Sequence, residues 1–177
     1  MQASVYIATS LDGFIARTDG SVDWLMSADA SETSEDYGFH DFLNSIDCMI
    51  MGRKTMDFVL NFNEWIYEGK RVIVFSSTLQ ETPSALAGKI ELYSGSIPEL
   101  VERLESEGIK RLYVDGGKTI QSFINEGLIT DLTITTIPIL LGEGIPLFGK
   151  THHDIQLEHI STISYPSGFV KSTYEIK

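Results

Sequence analysis

Three short segments consist of glycine, basic or hydroxyl-bearing residues, and each follows a run typical of a buried strand. They are Gly-Arg-Lys-Thr (52–55), Ser-Ser (76–77) and Gly-Gly-Lys-Thr (116–119), which follow the runs 48–51, 71–75 and 112–115. In open α/β sheets, ligands bind beyond the carboxyl ends of the strands. Glycine allows close backbone approach, and a helix start presents N–H groups to an anion. The spacing therefore predicts one extended phosphate-bearing ligand across several strand ends.

The residue types also indicate which phosphates would be held. Arg53 is a bidentate phosphate donor and, together with Ser76 and Ser77, suits the 2′-phosphate of NADP rather than the free hydroxyl of NAD. The pair Gly116 and Gly117 would let backbone reach a pyrophosphate. No Gly-x-Gly-x-x-Gly fingerprint occurs, so a Rossmann fold is not predicted. We expect no P-loop fold either.

The elements that must position these segments alternate between strand and helix. The predicted strands are 5–9, 14–16, 48–51, 71–75, 112–115, 132–137, 155–164 and 169–175, and the predicted helices are 34–46, 52–60, 96–107 and 118–126. Alternation followed by a strand-rich tail favours a mixed, mostly parallel central sheet with antiparallel edge strands. With helices on both faces, this is a three-layer α/β sandwich. No linker or repeat divides the chain, so residues 1–177 are predicted to form a single domain.

Charge and composition limit the partners. The formal net charge is −12, which disfavours nucleic acid because a polyanion is held by Lys and Arg. No apolar run could span a bilayer, and the start lacks the features of a signal peptide. We therefore expect a cytoplasmic protein that binds a small-molecule substrate and neither nucleic acid nor membrane. The single cysteine, Cys48, excludes a disulfide within one chain, and the adjacent His152 and His153 are not expected to bind a metal.

Five segments together resemble the dihydrofolate-reductase-like superfamily. They are 10–16 (Ser-Leu-Asp-Gly-Phe-Ile-Ala), 51–55, 76–77, 115–117 and 138–148 (Pro-Ile-Leu-Leu-Gly-Glu-Gly-Ile-Pro-Leu-Phe). The last is similar to one branch in particular: the C-terminal reductase domain of the bifunctional riboflavin biosynthesis deaminase-reductase, with its free-standing relatives. The resemblance implies a dihydrofolate-reductase-like fold and an NADPH-dependent oxidoreductase of the 5-amino-6-(5-phosphoribosylamino)uracil reductase type. Its substrate would be a small heterocyclic or sugar-derived compound.

The resemblance also implies a role for each matching position. The cofactor-binding residues would be Ala8, Ile15 and Ala16 beside the nicotinamide, Arg53, Ser76 and Ser77 at the 2′-phosphate, Lys54 and Thr55 at the pyrophosphate, and Gly116, Gly117, Lys118 and Thr119 at the phosphates from the other side. Gly52 would allow close approach of the backbone to the cofactor. Thr135 would touch the substrate. A homodimer is expected because riboflavin reductases of this type often pair, and its interface would lie in the strand-rich tail.

One carboxylate decides between two branches of the superfamily. A gapless count back from Gly52 puts Asp36 at the acidic position that anchors the pterin in dihydrofolate reductases, so Asp36 is a candidate catalytic and substrate-binding residue. An acid in the first turn of a helix is also favoured by the helix dipole alone. His40, four residues later, and Trp24, which could cover the mouth of the site, are further substrate-binding candidates. A phosphorylated substrate would call for an extra basic residue, and Arg17 is the obvious candidate.

Two alternatives stay open at this point. The chain could be a dihydrofolate reductase, if Asp36 points into the pocket. It could also be a non-catalytic nucleotide-binding or interaction module that kept the fold and lost turnover, which an inability to bind NADPH would favour.

Overall fold

A computed structural model of the chain describes residues 1–28, 35–62 and 65–177. In chain order the elements are β1 (Gln2–Ser10), β2 (Phe14–Ala16), α1 (Asp23–Ala28), α2 (Phe39–Ser45), β3 (Cys48–Gly52), α3 (Arg53–Val59), β4 (Arg71–Phe75), a 3-10 turn (Ser84–Leu86), β5 (Glu91–Tyr93), α4 (Ile97–Ser106), β6 (Arg111–Asp115), α5 (Gly117–Asn125), β7 (Asp131–Ile137), β8 (Ile145–Pro146), β9 (Leu157–Ser164) and β10 (Val170–Ile176).

Eight strands form one twisted sheet in the order β5-β4-β3-β6-β1-β7-β10-β9. The strands from β5 to β7 pair in parallel, whereas β10 pairs antiparallel with β7 and with β9. This confirms the predicted mixed, mostly parallel sheet with antiparallel strands at its edge. The remaining two strands, β2 and β8, form a separate antiparallel pair.

Helices cover both faces of the sheet, as predicted. On one face, α4 and α5 pack Leu100, Leu104 and Phe123 against the strands. On the other face, α2 and α3 supply Phe42 and Met56. Burial from both sides explains why β3, β4 and β6 read as continuous apolar runs rather than as alternating patterns.

Helix α2 begins later than its sequence pattern predicts. The pattern gave a helix from residue 34, which lies outside the described residues, whereas the structure begins α2 at Phe39. Tyr37 and Gly38 have φ angles of 56° and 87°, and this left-handed conformation cannot continue a right-handed helix. Residues 35–38 are therefore a turn that leads into α2. Among the described residues, no helix is long and apolar enough to cross a membrane.

Candidate functional site

A cleft of about 1400 Å³ opens along the carboxyl ends of the central strands. Volumes of 300 to 1,000 Å³ are typical of small-ligand pockets, so this one has room for a dinucleotide and a second molecule. Every predicted cofactor residue lines it: Ala8, Ile15, Ala16, Gly52, Arg53, Lys54, Thr55, Ser76, Ser77, Gly116, Gly117, Lys118 and Thr119. The structure thus brings together segments that are far apart in the sequence.

The starts of α3 and α5 lie against each other at the middle of this cleft. A Cβ atom added to Gly52 would lie 2.8 Å from Thr119 Oγ1, and one added to Gly116 would lie 2.5 Å from Thr55 Oγ1. Gly116 also has a φ angle of 92°, which favours glycine. The two strand-to-helix junctions therefore approach so closely that each needs a glycine opposite the threonine of the other.

Three basic side chains lie at these two helix starts. Arg53, Lys54 and Lys118 are exposed and line the cleft. Arg53 Nη1 donates a long hydrogen bond of 3.4 Å to Thr78 Oγ1, which places the guanidinium beside the hydroxyls that follow β4. Among the residues that the structure describes, no carboxylate forms an ion pair with any of these three side chains. An anionic ligand is thus a suitable counter-ion for them.

Hydrogen bonds connect the loop after β1 to the segment that precedes β8. The Asp12 carboxylate accepts hydrogen bonds from Gly142 N–H at 2.8 Å and from Leu141 N–H at 3.1 Å, and Ser10 Oγ donates to it at 2.6 Å. These bonds hold the pKa of Asp12 below its ordinary value. Further along, Ile15 Cδ1 lies 3.1 Å from the position of a Cβ on Gly117. The apolar residues near Ile15 therefore form a fixed wall against the start of α5.

Asp115 is a titratable group of the cleft to which the sequence analysis assigns no catalytic role. It ends β6 immediately before the glycine pair and lines the cleft. Burial raises the pKa of its carboxyl group from 3.8 to about 6, although the Gly116 backbone and the Tyr113 phenol favour the ionised form. The sequence signal for it is the acid directly before Gly116, within the segment predicted to be a phosphate-binding turn. Perturbed carboxyl groups in clefts are typical of proton-transfer sites.

Asp36 also lines the cleft, but its carboxylate is already engaged. Its two oxygens accept hydrogen bonds from Gly38 N–H and His40 N–H, each at 2.9 Å. These bonds keep the pKa of Asp36 below its ordinary value, so the group is ionised at neutral pH and is a poor proton donor. A catalytic role for Asp36 remains a prediction. Thr135 lines the cleft as expected and is buried.

Two of the substrate-binding candidates lie elsewhere. Trp24 is 1 % exposed and packs with Ile137 and Phe169 in a small core cluster, so it does not cover the mouth of the cleft. The sequence could not reveal this because α1, which carries Trp24, has no clear helical pattern. His40 is exposed and lies outside the cleft lining; its backbone N–H, rather than its ring, meets Asp36.

One sequence pattern needs its structural context. Residues 144–151 are Gly-Ile-Pro-Leu-Phe-Gly-Lys-Thr, which matches the sequence pattern of the phosphate loop of P-loop NTPases. Such a loop connects a strand to a helix, whereas residues 147–156 form neither helix nor strand. The match is therefore not a phosphate loop, and the expectation of a different fold from the P-loop NTPases is met on structural grounds.

Comparison with known proteins gives a consistent family. The sequence profile of the RibD C-terminal domain matches residues 4–171. The Bacillus subtilis protein YyaP is 33% identical over 95% of this chain and 91% of its own length. The riboflavin biosynthesis protein RibD of Corynebacterium ammoniagenes is 27% identical, over 78% of this chain but only 43% of its own length.

Solved structures agree with this result. A protein of Shewanella sp. PV-4 that has been assigned to riboflavin biosynthesis superposes with a TM-score of 0.94 and 39% identity, covering 100% of this chain and 99% of its own. Acinetobacter baumannii RibD superposes with a TM-score of 0.69 and 15% identity, over 99% of this chain and 58% of its own. At that identity, the second likeness concerns the fold alone.

Proposed function

Because this chain belongs to the RibD C-terminal domain family, we propose that it is an NADPH-dependent reductase related to the reductase of riboflavin biosynthesis. Its fold is dihydrofolate-reductase-like, as the resemblance implied. The proposal rests on one observation. Arg53, Lys54 and Lys118 line the same cleft as the glycines of two helix starts. A small heterocyclic or sugar-derived substrate would occupy the rest of that cleft.

The residues present fit a dinucleotide with a 2′-phosphate. Gly52 and Gly116 let the starts of α3 and α5 pack closely, each glycine opposite the threonine of the other. Both strand-to-helix junctions therefore lie at the same part of the cleft, where backbone can approach a pyrophosphate. No described side chain caps the start of α5, which leaves its first N–H groups for phosphate oxygens. Arg53, beside Thr78 and the Ser76–Ser77 pair, would hold the 2′-phosphate.

The chain's own residues orient the reactants and hold a proton. When bound, NADPH supplies a hydride for a C=N or C=O carbon. Ala8, Ile15 and Ala16 provide an apolar wall that excludes water from the reacting atoms. The carboxyl group of Asp115, with a pKa of about 6, holds a proton at its Oδ atom and delivers it to the heteroatom of the reduced bond.

The test of this proposal is a titration of the purified protein with NADPH and with NADH. NADPH should bind at least about tenfold more tightly, because a charge-assisted phosphate contact contributes roughly 1.5 to 3 kcal/mol. Arg53→Ala should remove most of this preference and leave NADH binding nearly unchanged. Lys150→Ala, at an exposed position outside the cleft lining, is the matched control. Equal weakening of both cofactors would overturn the placement of Arg53.

A second candidate, dihydrofolate reduction, rests on the presence of Asp36 in the cleft lining. Oxidation of NADPH by dihydrofolate, lost in Asp36→Asn, would support it. If NADPH binds but neither dihydrofolate nor the aminated ribosyl-pyrimidine phosphate is reduced at any pH, a non-catalytic nucleotide-binding module becomes the better description.

A further inference from the structure

The distribution of charge in the cleft separates it into two parts. The chain has 13 Lys and Arg residues, and those that line the cleft are Arg53, Lys54 and Lys118. All of these stand in the first turns of α3 and α5. We call these three residues the cationic end of the cleft.

The other part of the cleft is bounded by a continuous group of aromatic side chains. Tyr113 Oη donates to Tyr6 O at 3.0 Å, and Tyr6 Oη donates to Tyr37 O at 2.6 Å. The ring of Tyr37 stacks on Phe169 with centroids 4.9 Å apart, and the ring of Tyr6 lies 5.9 Å from that of Phe39. All of these residues line the cleft. We call Tyr6, Tyr37, Phe39, Tyr113 and Phe169 the aromatic wall.

Carboxylates flank the aromatic wall. Glu35 and Asp36 precede Tyr37 and line the cleft, and Glu35 Oε1 accepts the Tyr37 N–H at 2.9 Å. Asp115 follows Tyr113 by two residues on β6 and therefore lies on the same face of the sheet. Acceptor groups of this kind attract N–H donors and cations and repel a phosphate.

Arg17 and Lys171 are two basic side chains outside the cleft lining, and each is held by another group. Arg17 forms a bidentate ion pair with Asp23, at 2.6 and 3.0 Å, so the residue expected to hold a substrate phosphate is already neutralised. Lys171 Nζ donates to Tyr37 O at 2.6 Å and stands outside the cleft lining. By sequence, residues 29–34 and 63–64 contain no Lys, Arg or His.

We propose that the aromatic wall binds a flat nitrogen heterocycle that carries no phosphate and is neutral or cationic. This inference rests on the proposed reductase function, whose substrate site it describes. The ring would stack on the aromatic wall, which favours planar groups. Its N–H edge would face the carboxylates of Glu35, Asp36 or Asp115. The chain therefore differs in substrate class from a reductase that recognises a ribose phosphate.

The experiment compares two ligands that differ only in the phosphate. They are the aminated ribosyl-pyrimidine phosphate of riboflavin synthesis and the same compound after phosphatase treatment. Calorimetric titrations with NADP⁺ at saturation should give tighter binding of the phosphate-free compound, by about tenfold, which corresponds to about 1.4 kcal/mol. Tighter binding of the phosphorylated compound, or failure of the phosphate-free compound to bind, would overturn the proposal.

A second experiment tests the substrate class independently of NADPH binding. In an Arg53→Ala/Lys118→Ala double variant without NADP⁺, the same order of affinities is expected, because two of the three side chains of the cationic end can no longer hold the phosphate. If the natural chain fails to bind NADPH while this order of affinities is preserved, the reductase function alone is overturned. NADPH binding with the order reversed would overturn only the substrate class.

A charge change at the aromatic wall provides the gain-of-function test. Glu35→Lys should strengthen binding of the phosphorylated compound by about fivefold or more, by replacing a repulsive charge with an attractive one. Asp41→Lys makes the same change on α2 outside the cleft lining and should have no such effect. If Glu35→Lys does not fold, Glu35→Gln keeps an acceptor for the Tyr37 N–H and should give a smaller effect in the same direction. No difference between the Glu35 variants and Asp41→Lys would count against the proposal.

Discussion

Asp115 combines a place in the cleft with a pKa of about 6, and this predicts how the reaction depends on pH. A protonated carboxyl group that supplies a proton becomes scarcer as the pH rises through its pKa. We expect turnover to fall above pH 6 and Asp115→Asn to lower it by about a hundredfold, within the usual range for a general acid. The residual activity of the variant should no longer change between pH 5 and 7. A profile unchanged by the substitution would leave Asp115 with a packing role only.

The same carboxyl group links protonation to stability. Because burial raises its pKa from 3.8 in an ordinary environment to about 6, the folded state binds more protons than the unfolded state between these values. Its contribution to the free energy of unfolding is therefore fully present below pH 3.8 and is lost as the pH rises through 6. Urea unfolding of the natural chain and of Asp115→Asn at several pH values isolates this contribution: relative to the variant, the natural chain should lose stability over this window.

At the scale of elements, the contact between the starts of α3 and α5 predicts an unequal response of two glycines to the same change. Gly116→Ala introduces a Cβ at 2.5 Å from Thr55 Oγ1 at a position with a φ angle of 92°, whereas Gly127→Ala has a φ angle of 67° and meets nothing within 4 Å. Strain alone costs about 1 to 2 kcal/mol, and overpacking adds roughly 1 to 3 kcal/mol. Thermal unfolding should therefore show a larger loss for Gly116→Ala.

A double variant identifies the cause of that loss. In Gly116→Ala/Thr55→Ala the nearest atom to the new Cβ is removed. The loss of stability beyond that of Gly127→Ala should therefore become smaller. An excess that persists in the double variant would show that Thr55 is not the obstacle. NADPH affinity should fall in Gly116→Ala and remain unchanged in Gly127→Ala.

The elements that the sequence predicted well are those whose pattern arises from burial within the sheet. β3, β4 and β6 are covered on both sides, so their runs are uniformly apolar and bounded by turn residues. For α4, Ser96 Oγ accepts the Glu99 N–H at 3.4 Å, as the capping pattern indicated. The place of Arg53, Ser76 and Gly116 in the cleft lining was predictable for the same reason, because these residues directly follow β3, β4 and β6.

Short elements and inter-element contacts were not predictable in this way. β5 has three residues and β8 has two, which is too few for a pattern to emerge. The late start of α2 depends on a left-handed Tyr37, whose carbonyl accepts hydrogen bonds from the distant Tyr6 and Lys171. The raised pKa of Asp115 depends on how deeply β6 is buried, and no local spacing records that depth.

For the whole molecule, the exposed edge of the sheet bears on the homodimer expected from the family. Every residue of β9 is exposed, and Leu157, Ile160 and Ile163 retain 42%, 49% and 46% of their accessible surface. Long apolar edge strands tend to associate with another chain. The register shift opposite Thr173 and Tyr174 makes Ile160 an extra residue in β9, and bulges weaken pairing along an edge. We therefore expect two copies to meet through these side chains rather than by continuing the sheet.

This expectation is tested by the mass of the protein in solution. Sedimentation at micromolar concentration should give twice the chain mass of 19.7 kDa, and Ile160→Lys/Ile163→Lys should give the mass of one chain. Leu140→Lys, at a 69% exposed position away from β9, should remain dimeric. Since each copy carries a formal charge of −12, the two copies repel each other, and salt should strengthen their association by screening that repulsion. A monomeric natural chain at high salt would contradict the dimer, whereas a Lys double variant that stays dimeric would place the interface on another surface.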